Sequence, residues 1–579
     1  MLAGVGGPCK IGRMSRRAGA LAAFLLSLVA YALTAAPSIW WLDSSEFAAA
    51  SFELGISHPP GHALALLFGR LCMLLPLGSL AFRANLASAL ASAGAAAVLF
   101  VVAWDLSGSV REAVAMKRGE PPPAGSWSRG LTALGAALLL SLSLSAWMQA
   151  TRAEVYALNL LLLLVALQRL LAWDRGDETA LGQAAFSLGL GLANHHLLVL
   201  LFTAIALPWA LARRAWRPLV RALGMGLLGA CALLYLPLRA ARWPEINWGA
   251  PVTAERLGWL LSASAFARTA ARVASEPLAP RVEGVAWLPV AQLGVLGTIA
   301  ALGGLYLLLR LAATRRAGLL ILGAAAASAA GPLMVGFDPF NPDAHGYLLM
   351  LLAAFALGAA AFVTGAETIL RFAARPRLAA ALGPTLLCLG LLQGMNWRAA
   401  DLRAAWSAEE TALEVAGAVP TGGVLHTALY KTVFNLWYLR IAEGLRPDLR
   451  HLHVGLLGFP GYRESVARKD PSLLYAPPDA SEYYEAMTDD ALRRLGPAGP
   501  VLRDGGSVAE HRTRMVALER RCADGGENEA SRSLLWSSFR AAQYFCRVGN
   551  VAEARREIAR ARRRSTSPML DDLLARCGR

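Results

Sequence analysis

Charged residues are scarce in this sequence. Only 17% of the 579 residues are Asp, Glu, Lys or Arg, whereas soluble domains carry roughly a quarter. This shortage excludes an ordinary soluble globular protein, and the apolar content of 56% excludes a disordered chain. The sequence therefore predicts a protein that lies mostly in a lipid bilayer.

Two kinds of binding motif are also missing. The seven cysteines form no CxxC pair and no Cys/His spacing, so the sequence does not support a zinc site. The formal net charge of +16 comes from short basic clusters between apolar runs, without the basic-aromatic patch that binds nucleic acid. We therefore predict the lipid bilayer as a partner, no nucleic acid and no metal site.

Apolar runs long enough to cross a bilayer, about 20 residues each, fill most of the first 397 residues. We predict an all-α polytopic membrane protein with about eleven transmembrane helices. They lie near residues 18–38, 84–104, 131–150, 155–173, 182–194, 197–212, 219–237, 286–309, 317–336, 346–370 and 379–395. The apolar segment 63–79 is interrupted by Arg70 and Pro76, which favours a helix at the membrane surface over a further crossing.

The basic residues predict the orientation. Four of them precede the first apolar run, so the positive-inside rule puts the N-terminus in the cytoplasm. Later basic clusters near 111–129, 213–221, 310–316 and 371–377 fall in alternate loops, as this orientation requires. A cleaved signal peptide at the first run is the alternative. With an odd number of crossings, the C-terminal part would lie outside the cytoplasm.

The composition changes after residue 397. Residues 398–579 hold 27 Lys+Arg and 23 Asp+Glu, which is typical of a soluble domain. We predict a membrane domain over 1–397 and a soluble, mostly helical and partly α/β domain over 398–579. The latter has a strand at Gly423–Thr427 and a tetratricopeptide-like helix pair over 531–576. Cys522 and Cys546 are candidates for a disulfide.

The first loop on the predicted outer face carries two carboxylates. It reads Asp43-Ser-Ser-Glu46, followed by His58-Pro-Pro-Gly61. A helix starting here would put Asp43 and Glu46 on one face, where one can accept a proton while the other orients it or contacts substrate. The same spacing also fits a capping box that only starts a helix.

Two further outer segments carry polar side chains. Arg152 and Glu154 could form an interfacial ion pair, next to Tyr156 as an aromatic-belt residue. Asn194 and His195 lie between two apolar runs, a costly place for polar groups unless they face a wet cavity. A metal site that includes His195 and the following histidine is disfavoured, because adjacent histidines rarely converge on one ion.

The last two outer segments hold arginines and a histidine. Arg239 and Arg242 sit where a membrane-anchored phosphate would lie, and guanidinium can grip phosphate in two places. They could instead meet lipid headgroups. Asn247 and Trp248 follow in the same segment. The segment with His345 contains Pro and Asn residues that fit a plain hairpin equally well.

Together these motifs resemble the domain of unknown function 2723 family, whose animal members look like protein O-mannosyltransferases of the GT-C type. The resemblance covers roughly residues 20–260. It rests on the order and spacing of the segments at 43–46, 58–61, 154–156, 194–195, 235–239 and 247–249. One position departs from the pattern, because Ser45 stands where family members usually have glycine.

This resemblance implies a glycosyltransferase that moves a sugar, expected to be mannose, from a polyprenyl-phosphate donor to a protein or glycan hydroxyl on the outer face. It implies inversion at the anomeric carbon, Asp43 as the catalytic residue and Glu46 as the reserve candidate. The predicted donor- or substrate-binding residues are His58, Arg152, Glu154, Tyr156, Asn194, His195, Arg239, Arg242, Asn247, Trp248 and His345. The alternatives are a transporter or flippase for lipid-linked sugars and a membrane-anchored assembly scaffold.

Overall fold

The computed structural model of the chain describes residues 14–122, 127–213, 216–339, 341–419, 424–427, 430–473, 501–504, 542, 551–562, 573 and 575. Contacts among these residues define two compact units. The membrane unit comprises the described residues within Met1–Ala35, Ala50–Leu77 and Phe82–Asp401. The loop-domain unit comprises those within Ala36–Ala49, Gly78–Ala81 and Leu402–Arg579.

The chain up to residue 401 is almost entirely helical in its described part. In order, the helices are α1 (Arg16–Thr34), α2 (Ser44–Glu53), α3 (Ala63–Met73), α4 (Leu80–Arg118), α5 (Ser128–Ser141), α6 (Leu144–Ala150), α7 (Tyr156–Asp174), α8 (Ala180–Leu211), α9 (Trp216–Ala230), α10 (Tyr235–Ala240), α11 (Ala254–Leu261), α12 (Ala267–Ser275), α13 (Leu278–Arg310), α14 (Arg315–Val335), α15 (Pro342–Gly346), α16 (Leu349–Phe372), α17 (Pro376–Leu392) and α18 (Trp397–Ala400).

Several of these helices can cross a membrane. Within the described ranges, nine helical segments are long and apolar enough, and the pair α5–α6, bent by 68°, brings the number to ten. The chain is therefore an integral, multi-pass membrane protein, as its hydropathy predicts. Helix α3 has only 11 residues, about 16 Å of helix, which agrees with a segment that does not cross.

Helix α8 contains the two predicted crossings at 182–194 and 197–212. It is broken at His195, whose backbone (φ −141°, ψ 85°) is not helical. Asn194 at this break donates to the carbonyl of Val155, just before α7 (2.9 Å). The chain therefore reaches the start of α7 in the middle of α8.

Both ends of α8 lie at the opposite end of α7. Helix α8 begins six residues after Asp174, the last residue of α7. Near the other end of α8, Trp209 donates to the carbonyl of Arg316 (2.9 Å). Arg316 in turn binds Asp174 (2.8 Å). Helix α8 thus doubles back at His195. By length and composition it counts as one of the nine or ten candidate spans of the described residues, against about eleven predicted.

Small residues let the membrane helices approach closely. Gly189 of α8 faces the backbone of Gly226 in α9, and Gly304 of α13 faces the backbone of Gly358 in α16. In both places a Cβ atom would meet main-chain atoms, so a larger residue would force the helices apart. Lipid tails are as apolar as the side chains, so there is no hydrophobic driving force between helices in a bilayer. Close van der Waals packing through small residues therefore supplies much of the helix-helix attraction.

The C-terminal part of the loop-domain unit contains a parallel sheet of three strands. Strands β1 (Val424–Thr427), β2 (Arg450–His453) and β3 (Val501–Asp504) are arranged in the order β2-β1-β3. The remaining described helices are α19 (Ser407–Ala418), α20 (Tyr430–Trp437), α21 (Tyr462–Lys469) and α22 (Val551–Arg562). The predicted strand at 423–427 is confirmed in β1. Of the predicted helix pair at 531–576, the structure describes α22 and residues 542, 573 and 575, so the pair as a whole stays a prediction. Cys522 and Cys546 lie outside the described residues.

Candidate functional site

Two polar segments of the membrane unit pair through their backbones. Ile56 and Asn247 form a parallel β-bridge. The N–H of Ile56 donates to the carbonyl of Ile246 (2.7 Å), and the N–H of Trp248 donates to that of Ile56 (3.2 Å). The rings of His58 and Trp248 are 6.4 Å apart. Three predicted binding residues, His58, Asn247 and Trp248, are thereby brought together.

Arg239 holds the backbone at the end of α2. Its Nε donates to the carbonyl of Leu54 (2.7 Å) and its Nη2 to that of Glu53 (3.0 Å). Carbonyls at a helix C-terminus lack partners within the helix, and a guanidinium is well suited to satisfy them. These bonds make Arg239 a positioning residue in the structure, and they occupy part of the donor set that the sequence suggested for phosphate.

Glu53 is a residue of this region that the sequence analysis missed. Its carboxylate accepts from the backbone N–H groups of Glu245 and Ile246, the latter at 3.1 Å. It thereby fixes the segment that follows Arg242. The signal was present in the sequence, because Glu53 lies two helical turns after Glu46 on the same face of α2. Arg242 itself is exposed and forms no ion pair with any described residue, so it is open to an anion.

Imidazole and phenol rings gather at the break in α8. The ring of His62 lies 5.0 Å from that of His58 and 5.9 Å from that of His195. The His195 ring lies 5.4 Å from Tyr156 and 5.2 Å from Tyr347. This cluster joins the predicted residues His58, Tyr156 and His195. Its other two members, His62 and Tyr347, were not among the predicted site residues.

The geometry around His62 sets its protonation. Burial lowers the pKa of this imidazole well below its usual 6.5, and the nearby imidazoles of His58 and His195 lower it further. The ring is therefore neutral at pH 7. Its Nδ1 lies 2.7 Å from the carbonyl of Asn194, and a carbonyl only accepts hydrogen bonds. Nδ1 must carry the proton, which leaves Nε2 as an acceptor.

Several buried polar atoms of the same region have no hydrogen-bond partner among the described residues. They include Asn194 Oδ1, His195 Nδ1 and Asn247 Oδ1. Buried polar groups in folded proteins are nearly always paired, and an exception calls for an explanation such as a ligand. Two amide oxygens and an imidazole nitrogen are suited to the hydroxyl groups of a sugar.

Arg152 forms a buried ion-pair network. Its side chain is 1% exposed, and its Nη2 lies 2.5 Å from Asp343 Oδ1. Its Nε lies 3.6 Å from Glu154 Oε1. Two carboxylates thus balance its charge, so Arg152 ties the segment before α7 to the turn at α15. The sequence analysis missed Asp343, because its Asn-Pro-Asp context also explains a plain hairpin.

His345 has a structural setting. Its Nδ1 lies 2.9 Å from Ser145 Oγ and its Nε2 2.9 Å from the carbonyl of Pro339. The ring is buried, and both nitrogens are engaged by the protein. His345 therefore fastens the turn at α15 to α6, and the structure does not bring it into the imidazole cluster.

The two carboxylates of the first loop lie in the loop-domain unit. Asp43 and Glu46 offer oxygen atoms within 4.8 Å of one another. The carbonyl of Asp43 accepts from the N–H of Phe47 (2.9 Å), so α2 begins directly after it. Asp43 is half-buried and Glu46 fully buried. Such a pair can move a proton, and it also supplies two oxygen ligands of the kind that Mg²⁺ shares with substrate phosphates.

Comparison with known proteins gives two sequence matches. Residues 43–218 match the family model described as the protein O-mannosyl-transferase TMEM260 N-terminal domain. The chain is 35% identical over 268 residues to the protein O-mannosyl-transferase TMEM260 of Mus musculus. This match covers 43% of the chain and 34% of the mouse protein, so the chain spans about a third of its relative's length.

A solved structure shares the fold. The crystal structure of ArnT from Cupriavidus metallidurans bound to undecaprenyl phosphate matches with a TM-score of 0.50 and 14% identity, over 87% of this chain and 94% of ArnT. At this level of identity the likeness concerns the fold alone. The chain thus shares its fold with ArnT, and its residues 43–218 resemble the N-terminal domain of protein O-mannosyl-transferases.

Proposed function

We propose that this protein is a membrane glycosyltransferase that moves a sugar from a polyprenyl-phosphate donor to a hydroxyl of a protein or glycan acceptor. The observation that carries the proposal is the group of buried polar atoms on Asn194, His195 and Asn247 without partners among the described residues, in a chain with the ArnT fold. Mannose as the sugar and membership of the domain of unknown function 2723 family belong to the same proposal, and the TMEM260 likeness supports the choice of mannose.

The reaction exchanges one bond for another. The acceptor oxygen attacks the anomeric carbon as the bond from that carbon to the lipid phosphate oxygen breaks, which inverts the centre. Asp43 accepts the proton of the acceptor hydroxyl, and Glu46 orients it or the substrate. General base assistance of this kind contributes about 10²- to 10⁴-fold. The departing polyprenyl phosphate carries away the negative charge.

The membrane unit holds the donor. Arg242 stabilises the charge that develops on the phosphate, since it is exposed and forms no ion pair within the described chain. Arg239 keeps this segment in place through the end of α2. Asn194, His195 and Asn247 bind sugar hydroxyls in this proposal. The rings of His58, Tyr156 and Trp248 line the pocket for the sugar in this proposal.

Other predicted residues act by holding the site together. Arg152 and Glu154 join the start of α7 to Asp343, and His345 fixes the same turn from the other side. We further propose that these segments face away from the cytoplasm, with the N-terminus cytoplasmic and the C-terminal domain extracytoplasmic. The positive-inside rule supports this orientation, because arginine clusters lie at the opposite ends of α7, α8 and α14.

The donor can be tested directly with the purified protein in lipid nanodiscs. We expect transfer of radiolabelled mannose from polyprenyl-phosphate mannose to an acceptor protein or glycan, and none from GDP-mannose. Polyprenyl-phosphate glucose tests the choice of sugar, and EDTA tests for a divalent cation. Transfer from the nucleotide sugar alone would refute a lipid donor. Translocation of the lipid-linked sugar in proteoliposomes without any transfer would instead favour a flippase.

A further inference from the structure

The loop with the two carboxylates packs on the C-terminal domain inside the loop-domain unit. Trp41 Nε1 donates to Ser407 Oγ at the start of α19 (3.1 Å). Lys431 Nζ of α20 lies 5.6 Å from the centroid of the Trp41 ring. In the segment 78–81 of the same unit, the N–H of Ala81 donates to the hydroxyl of Tyr438, directly after α20 (3.1 Å). Helices α19 and α20 therefore form the support on which the loop rests.

One contact lies between the two carboxylates in the sequence. Ser45 Oγ is 2.5 Å from Asn435 Oδ1, and both side chains are 1% exposed or less. Asn435 Nδ2 donates to the carbonyl of Ala408 (3.2 Å), which fixes the amide so that Oδ1 faces Ser45. The same hydroxyl also lies 2.7 Å from the carbonyl of Trp40. A buried bond with this fixed geometry sets the position of the backbone between Asp43 and Glu46.

We propose that Asn435 is a positioning residue for the Asp43–Glu46 pair and that Ser45 is the residue through which it acts. The proposal rests on the function proposed above. In this proposal the C-terminal domain therefore contributes to the geometry of the catalytic residues. A domain that served only as an assembly scaffold would not.

A double-mutant cycle tests the pair. We expect Ser45→Ala and Asn435→Leu each to lower kcat by about 10- to 100-fold, as a misplaced catalytic group does, with an unchanged KM for the donor. The kcat of the double variant should be no lower than that of the less active single variant, because both changes remove the same hydrogen bond. Thr427→Val is the matched control: it removes a buried hydrogen bond to His451 in the same domain (3.0 Å) and should leave kcat unchanged.

A conservative change separates positioning from simple packing. Asn435→Asp keeps the acceptor for Ser45 and adds a negative charge beside this hydroxyl, which belongs to the residue directly before Glu46. A like charge raises the pKa of a neighbouring carboxyl group, so the acid limb of the pH-rate profile should move to higher pH. A charge at residue 435 that lies too far from the two carboxylates to act on them would leave this profile in place, and would contradict the proposal.

Hydrogen-deuterium exchange provides a readout that does not need activity. The backbone amides of residues 36–49 should exchange faster in Ser45→Ala and in Asn435→Leu than in the wild type. Their exchange rates should be unchanged in Thr427→Val. If the wild type transfers sugar but the two single changes act additively or have no effect, the inference is wrong and the proposed function stands. If the wild type transfers no sugar from any polyprenyl phosphate, the proposed function fails and the exchange data still decide the coupling. Should Asn435→Leu not fold, Ser45→Ala carries the test alone.

Discussion

At one end of the membrane unit carboxylates are matched by arginines, whereas at the other end buried amides and imidazoles keep atoms without protein partners. At the arginine end, Asp105 accepts from Arg16 (3.0 and 2.8 Å) and from Arg175 (3.2 Å). At the site end, Asn194 and His195 are buried with atoms that bond to no described residue. The first arrangement fastens helix ends to one another, and the second leaves hydrogen-bonding capacity for a ligand.

The arginine end reaches into the membrane helices. Glu367 of α16 is 1% exposed. Its Oε2 accepts from Ser128 (2.7 Å), and its Oε1 accepts from Arg371 (2.9 and 3.0 Å) with Arg111 at 3.9 Å. Both oxygens of this carboxylate accept hydrogen bonds from the protein, so the group stabilises the fold. Buried polar atoms without a hydrogen-bond partner destabilise the fold, since each such group costs about 1–3 kcal/mol. A protein keeps such atoms where function needs them.

The largest effect should separate chemistry from folding. We expect Asp43→Asn to lower kcat by about 10²- to 10⁴-fold, because the amide cannot take up the acceptor proton. The Tm should hardly change. Asp105→Asn is the counterpart at the arginine end, and there the Tm should fall while kcat is kept. Sugar transfer by Asp43→Asn at the wild-type rate would remove Asp43 from the mechanism.

The second effect concerns the arginine end. Glu367→Gln should lower the free energy of unfolding by about 3 kcal/mol, because it leaves the buried Arg111 without its counter-charge. The protein that remains folded should transfer sugar normally. Adding Arg111→Met to this variant should restore part of the stability, as thermal unfolding in detergent would measure. A loss of kcat in the folded fraction would contradict the division between the two ends.

The third effect is a dependence on pH that belongs to the site end. His62 has a lowered pKa in the folded protein and about 6.5 in the unfolded chain. Below about pH 6.5 the unfolded chain binds a proton that the native ring does not, so stability is full above this pH and falls below it. Between about pH 6.5 and pH 5.5 the loss is about 1 kcal/mol. His62→Asn should show a smaller drop in Tm over this range, and an equal drop would assign the acid sensitivity elsewhere.

The sequence predicts local features of both ends well and their pairings poorly. Hydropathy and the basic clusters indicate the crossings, and the turn at Asn194 follows from its place between two apolar runs. The partners of Arg239 and Arg152 do not follow, because Leu54 and Asp343 lie 185 and 191 residues away. Arginine in a short loop has the same sequence signature whether it binds a carbonyl, a carboxylate or a phosphate. Only the fold distinguishes these cases.

The smallest effect is the sharpest test of the open polar atoms. His195→Phe keeps the size of the ring and its contacts with Tyr156 and Tyr347, but removes the nitrogens. We expect kcat/KM to fall about 10-fold through a lost hydrogen bond to the sugar, while the free energy of unfolding rises by about 1 kcal/mol because an unsatisfied buried atom is gone. The comparison variant is His196→Phe. The Nδ1 of His196 also lacks a hydrogen-bond partner among the described residues, but its side chain is only half-buried and lies outside the proposed site. This variant should leave kcat/KM unchanged. If His195→Phe instead loses stability along with activity, His195 holds the fold, and the contrast between the two ends does not extend to the histidines.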